Sequence, residues 1–542
     1  MSILGKSIFL FILSVTTFYQ SFACTNLIVT KGATKDGSVF MAYTNDGEWL
    51  YKLSKTKAKK HGKRDSIEFN SGRNNVKGKI KQLPNTYAVL GFQMNEFQVS
   101  IGETTFTGRE ELWNHSKFLE YWHLMQLALE RSKSAREAVL VITTIVEEYG
   151  YGSEGESFSI IDPNEAWLLE MVGTGNGGEG AIWVACRIPD GYICAHANMA
   201  RIGEFPLNDP ENCLYSDNVF SYAIEKGWYD ANAGNPFCFN EIYNPTNPER
   251  LKYCESRVWS LFRRISPSLE LSSDYHRGVY GANRYPLWIK PDEKLSLQNI
   301  IDLLRDHYEG TPFDMTKGID AGPFGNPNRW RPLGWEIDSL KYSWERPIST
   351  SNTAFSFIAQ ARSFLPNEIG GLIWFGVDDT YFTCYVPHYV CMKKVKGPFA
   401  SGDINAFSLE SAWWVFNLVS NYANIKYAYM IKDIQAVQTE MESYLMHNQL
   451  VIEAKLKDKS ARKVSRYLTR YSNKQAGFAH ARWLGLAFEL VTKYNDGYVK
   501  DDGIQSVGYP AEYYQEVNKI EKNKFKIPIW QKDVNCTKQL PF

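Results

Sequence analysis

A cysteine at position 24 stands directly after a short leader and at the head of a strand pattern, and this placement constrains the chain more than any other feature. Lys6 gives the leader a positive charge and residues 8–19 give it an apolar run. Ser21, Phe22 and Ala23 put small residues at −3 and −1 of a cleavage point, the pattern of a removable export signal. The apolar run is too short to span a bilayer comfortably. Cleavage after Ala23 leaves Cys24 with a free α-amino group, whose ordinary pKa of about 7.7 to 8.0 makes it a proton acceptor near neutrality. A thiol and an amine on one residue form a compact catalytic pair. Two other readings of Cys24 stay open on the residues alone. One is the lipid-carrying cysteine of a lipoprotein, which Ala23 suits and Ser21 and Phe22 fit poorly; the other is an ordinary half-cystine.

The stretch that Cys24 opens reads as a hairpin, with strands at 25–30 and 38–43 around a turn at Lys35, Asp36 and Gly37. A second pair, 87–92 and 98–102, brackets a turn at 94–97 and leaves Asn95 at a strand end. Helix-spaced apolar residues at 118–131 and 135–149, with Ser134 and Glu137 in capping-box spacing, predict two adjacent helices over a sheet. Strands resume at 157–162, 166–172, 182–188 and 192–197 as an antiparallel meander. Residues 173–178 match G-x-G-x-x-G, but a strand follows where a dinucleotide site needs a helix, so they read as a hairpin loop. Residues 206–291 read as loop-rich around a helix at 255–265. A helix at 297–308, a Gly, Pro and Asn-dense stretch at 312–332 and a β-rich stretch at 353–389 follow. Amphipathic helices at 409–422, 433–449 and 462–494 then change the character of the chain. The reading is α+β, with a leader at 1–23, a catalytic domain at 24–400 and a helical region and tail at 401–542.

Lys plus Arg and Asp plus Glu balance at 60 each, so there is no electrostatic footprint for nucleic acid or an anionic membrane. Nine cysteines leave an even eight once Cys24 is set aside, too few for a disulfide scaffold. Cys186 and Cys194 are placed to face each other across a hairpin at Pro189, Asp190 and Gly191. None of the nine histidines falls in H-E-x-x-H, no cysteines form C-x-x-C, and Ser38 lacks the glycines of G-x-S-x-G. No metal or other cofactor is implied.

Several segments, in order, resemble the N-terminal-nucleophile cysteine dipeptidases, the family of dipeptidase A and the secernins. Penicillin V acylase and bile salt hydrolase are more distant relatives. The resemblance is carried by Cys24-Thr25-Asn26, Asp36-Gly37-Ser38, residues 42–46, Met94-Asn95-Glu96 followed by 99–103, and residues 183–190. It continues through His196 to Arg201, Ser256-Arg257, 308–315, 321–325, Gln360 to Arg362, Leu365-Pro366 and Trp374. What it implies is a four-layer αββα fold in which the amino-terminal strand presents the nucleophile between two antiparallel sheets.

The resemblance also implies roles. The Cys24 thiolate attacks an amide carbonyl while its own α-amine takes the thiol proton and returns it to the leaving nitrogen. Asp46 matches the aspartate that holds the amine or thiol, and Asn95 and Asn198 match positions bearing on the tetrahedral intermediate. Arg257 matches an arginine that stabilises the thiolate. Tyr43 departs from the pattern, since relatives carry an arginine there. His196 and Arg201 flank Asn198; the histidine reads as a satisfied structural residue. The expectation is an exported enzyme, periplasmic or extracellular, that hydrolyses dipeptides. Its partners are small peptides, with no nucleic acid, no membrane segment in the mature chain and a homo-oligomer left open. An acylase of a non-peptide amide and an inactive surface lipoprotein are the alternatives.

Overall fold

The strand that follows Cys24 lies in the middle of a sheet, flanked on both sides before either face is covered. A computed structural model describes residues 24–522 and 524–529. The leader reading falls on residues 1–23, which lie outside the described residues, as does Cys536. Among the described residues, seven strands form the first sheet in the order Trp288–Ile289, Ile193–His196, Thr25–Val29, Val39–Asp46, Thr353–Ala361, Leu372–Val377 and Val386–Tyr389. The hairpin between Thr25–Val29 and Val39–Asp46 turns through Gly37, whose φ of 78° is a left-handed value that costs glycine nothing. Asp36 Oδ1 accepts from the Ser38 amide at 3.0 Å and fixes the same turn. Every residue of both strands is buried, which explains why they read as near-continuous runs without polar alternation.

The second sheet runs Cys213–Tyr215, Ile182–Arg187, Ala166–Val172, Gly155–Ile161, Ser100–Phe106, Met94–Asn95, Val89–Leu90 and Lys55–Thr56. Helices Tyr121–Arg131 and Ala135–Tyr149 cover it, with Leu124, Leu127, Val139 and Ile142 in one apolar cluster with Ile101, Phe158 and Leu169. Ser134 caps the second of these helices by accepting from the Glu137 amide at 3.2 Å. The two sheets meet through polar ties. Asn26 Nδ2 donates to the Glu103 carbonyl at 2.7 Å, and the His196 ring bonds Thr104 and Ser159 at 2.7 Å each.

Helices Ala412–Ala423, Tyr427–Leu456 and Ala461–Tyr494 pack against the far strands of the first sheet. They share its apolar cluster, and Phe416 and Trp483 stack at 4.7 Å with an interplanar angle of 6°. Arg362 and Tyr389 of the sheet both bond the buried Glu453 carboxylate, at 2.7 and 2.5 Å. Among the described residues no helix is long and apolar enough to cross a membrane.

Two expectations need correction, and one element was not anticipated. The pairing of Cys186 with Cys194 fails because residues 189–191 carry the chain from the second sheet to the first: Cys194 lies opposite Ile28 and Trp288, while Cys186 lies opposite Cys213. The helix expected at 297–308 ends at Leu304, and the chain turns out through Tyr308 at φ 65°. A surface hairpin, Gly334–Ile337 with Leu340–Ser343, stands in a stretch without predicted structure.

Candidate active site

Cys24 is buried, and its side chain enters a polar cluster built from three strands. The register places Thr25 opposite Thr44, so Asn45 and Tyr43 of the return strand lie beside the start of the nucleophile strand. The sulfur is 3.6 Å from the Tyr43 hydroxyl and 3.7 Å from Asn45 Nδ2, and the thiol donates toward Glu103 Oε1 at 3.5 Å. Tyr43 donates to the same Glu103 oxygen at 2.5 Å and accepts from Asn45 Nδ2 at 2.6 Å, and Trp49 Nε1 holds Asn45 Oδ1 at 2.8 Å. Tyr43 thus fills the place of the expected arginine with a hydroxyl that is fixed from both sides.

Glu103 does not act alone. The buried Glu156 carboxyl on the neighbouring strand lies near it, and Glu103 Oε2 and Glu156 Oε1 accept no hydrogen bond among the described residues. Burial and the adjacent Glu103 charge push Glu156 well above the carboxylate range. Burial raises Glu103 as well, opposed by its bonds from Tyr43 and Cys24. The Cys24 thiol is pushed well above its ordinary value by burial first, then by the charges of Glu103 and Asp46, with the Tyr43 hydroxyl working the other way. A thiol raised in this way holds its proton at neutral pH.

Arg257, on helix Glu255–Ile265, reaches the head of the nucleophile strand. It donates to the Cys24 carbonyl at 2.6 Å, Thr25 Oγ1 at 2.9 Å, the Ala197 carbonyl at 3.3 Å and Asn198 Oδ1 at 2.9 Å, and its Nε to the Tyr253 carbonyl at 2.6 Å. All of these acceptors are oxygens. The guanidinium, depressed to about 10 by burial and by Arg346, fixes the backbone on either side of the thiol and makes no hydrogen bond to sulfur. Its geometry is that of a positioning residue, which departs from the thiolate contact the resemblance implied. Asp46 is buried at the end of the return strand, where its carboxylate pairs with Arg346 and accepts from Thr353 Oγ1 at 2.7 Å.

Asn198 joins the cluster through Arg257, and its φ of 61° turns the chain sharply after His196. Its Nδ2 donates to the Thr105 carbonyl at 2.7 Å. Asn95 is not brought to the thiol. Its Nδ2 donates to the Leu129 and Ser132 carbonyls and its Oδ1 accepts from the Phe97 and Val99 amides, at 2.8 to 3.1 Å. Those four bonds exhaust a primary amide, leaving no donor for a developing oxyanion. His196, depressed to about 3 by burial, is the neutral tie between sheets already described. Arg201 spends its guanidinium on the Ala195, Tyr285 and Pro286 carbonyls.

The sequence reading gave no role to Glu103, Glu156, Asn45 or Arg346. Glu103 sits in the 99–103 stretch and Asn45 in the 42–46 stretch that carry the resemblance, which was the one signal for each; Glu156 and Arg346 had none.

The chain is similar in sequence to several curated proteins. A "Probable dipeptidase" of Salmonella dublin is 27% identical over 405 residues, covering 69% of this chain and 84% of that protein. A "Probable dipeptidase A" of Streptococcus pyogenes serotype M1 is 24% identical over 449 residues, covering 79% and 85%. A "Probable dipeptidase" of Latilactobacillus sakei is 25% identical over 420 residues, covering 72% and 79%. The family model of peptidase family C69 matches residues 23–440, a stretch that opens one residue before Cys24 and runs into the second of the three C-terminal helices. This chain belongs to peptidase family C69.

Proposed function

We propose that the protein is an exported cysteine peptidase of dipeptides, with Cys24 as nucleophile and its own α-amine, freed by removal of the leader, as general base. The observation that carries the reading is the placement of Cys24: it heads a central strand, its carbonyl is gripped by Arg257, and its sulfur lies among Tyr43, Asn45 and Glu103. The order of helices, two antiparallel sheets and helices supports the four-layer N-terminal-nucleophile fold, and the relatives' names support dipeptides as substrates.

In this mechanism the free amine takes the thiol proton as sulfur attacks the scissile carbonyl. The raised thiol makes that base necessary, because no standing thiolate is available. The amine then protonates the leaving amino acid, and water, deprotonated by the same amine, releases the acyl group from sulfur. Asn198 stabilises the tetrahedral oxyanion, an effect worth about 3 kcal/mol for one well-placed donor. Asp46 and Arg257 hold the strand end in register.

The experiment is a substrate panel on the leader-free protein: free dipeptides, N-acetylated dipeptides and N-acyl amino acids. Hydrolysis of free dipeptides that is lost in Cys24→Ala supports the reading. Turnover of N-acyl amino acids alone, or dipeptide hydrolysis that survives Cys24→Ala, overturns it.

A further inference from the structure

We propose that Cys186 and Cys213 are a disulfide pair, closed when the protein meets an oxidising thiol–disulfide environment. The inference rests on strand geometry and is independent of the catalytic reading.

Cys186 in strand Ile182–Arg187 and Cys213 in edge strand Cys213–Tyr215 are direct partners in an antiparallel ladder. The Arg187 amide donates to the Asn212 carbonyl at 2.8 Å and the Ser216 amide to the Trp183 carbonyl at 3.0 Å. Hydrogen-bonded and non-hydrogen-bonded pairs alternate along such a ladder, so the Cys186/Cys213 pair between them is of the non-hydrogen-bonded kind. There the Cα atoms approach to about 4.5 Å and the side chains come closest. That spacing lies within the range of about 4.4 to 6.8 Å that a disulfide spans. The two sulfurs are already in contact at 3.9 Å. Side-chain rotation closes the remaining gap with the register unchanged, and no other two cysteine sulfurs are in contact among the described residues.

The pair is also reachable. A cavity of about 540 Å³ is lined by Cys186 together with Ile188, Pro189, Asp209, Asn212 and Trp288. Both cysteines are buried, and this cavity is the side from which a small disulfide approaches Cys186. One cysteine thiolate attacks that disulfide, forming a mixed disulfide and expelling one thiol. The second cysteine then displaces the second thiol. The two cysteine protons end on the two expelled thiolates, and the two electrons pass to the external disulfide, which is thereby reduced to two thiols. The bond closes a loop between positions 27 apart. Within that loop the chain crosses to the first sheet as Ile193–His196 and carries Asn198, so the bridge staples the crossing that places Asn198 beside Arg257.

The test uses the full chain, reduced and then equilibrated with oxidised glutathione, alkylated, and digested without reduction. The expected result is one peptide pair joined through Cys186 and Cys213. Thermal stability should rise by several degrees on oxidation, a gain absent alike from Cys186→Ser and Cys213→Ser. Alkylation of both thiols after oxidation, a bridge from Cys186 to Cys194, or stable glutathione adducts on either cysteine would overturn the proposal. The same mapping applies whether or not the leader has been removed, so failure of the bridge is separate from failure of the catalytic mechanism.

Discussion

Arg257 donates to the carbonyl oxygen of Cys24 at 2.6 Å and makes no hydrogen bond to its sulfur. A cation in that position governs where the nucleophile sits more than how readily it ionises. Arg257→Lys keeps the charge and loses the fork that reaches Cys24, Thr25, Ala197 and Asn198 together. The expected outcome is a fall in kcat of at least about tenfold, equivalent to about 1.4 kcal/mol, with the pH dependence of Cys24 alkylation little changed. A large upward shift of that alkylation profile would instead mark Arg257 as the group that stabilises the thiolate.

Glu103 and Tyr43 act on the thiol with opposite signs. Glu103→Gln removes a negative charge beside the sulfur and should move the alkylation profile to lower pH. Tyr43→Phe removes a hydroxyl that favours the thiolate and should move it to higher pH. Tyr43→Phe also strips a donor from a buried carboxylate and an acceptor from Asn45, at a cost of about 1 to 3 kcal/mol in stability. Shifts in the same direction for both variants would contradict the network as described.

Asn95 and Asn198 separate in the same way. Asn95→Ala breaks four buried hydrogen bonds and should lower the melting temperature clearly, while kcat per folded molecule stays near wild type. Asn198→Ala should lower kcat by about a hundredfold, the usual effect of losing an oxyanion donor. Calorimetry beside steady-state kinetics on both variants makes the comparison.

His196 gives the fold an acid limit. Its folded pKa of about 3 lies below the ordinary value of 6.5, so between those values the unfolded chain binds a proton that the folded chain does not. The associated stability is fully present above pH 6.5 and is lost as pH falls through 3, by up to about 5 kcal/mol at roughly 1.4 kcal/mol per unit. Denaturant midpoints across this range should fall with pH, and less steeply in His196→Gln. An identical slope in the variant would remove His196 from the explanation.

The layered strand framework was legible in the sequence because its runs are apolar and its turns are marked, as at Asp36 and Gly37. That Cys24 and Asp46 lie on paired strands could be read because both belong to one local hairpin. What could not be read depends on which strands stack. Glu103 is 79 positions from Cys24, and Arg346 is 300 positions from Asp46, and nothing local announces either partnership. Asn95 was misread because a turn asparagine looks the same in sequence whether its amide faces a substrate or folds back on its own backbone. Cys186 and Cys194 looked like hairpin neighbours because spacing cannot show that the intervening turn changes sheets.

The most direct test of the account is the mass of the N-terminal peptide of the purified active protein, measured with and without a thiol-alkylating reagent and alongside dipeptide hydrolysis. The account predicts a chain that begins at Cys24 with an unmodified amine, takes one alkyl group on that residue, and loses activity as it does so. A lipid on Cys24, or an active enzyme that begins at another residue, would contradict it.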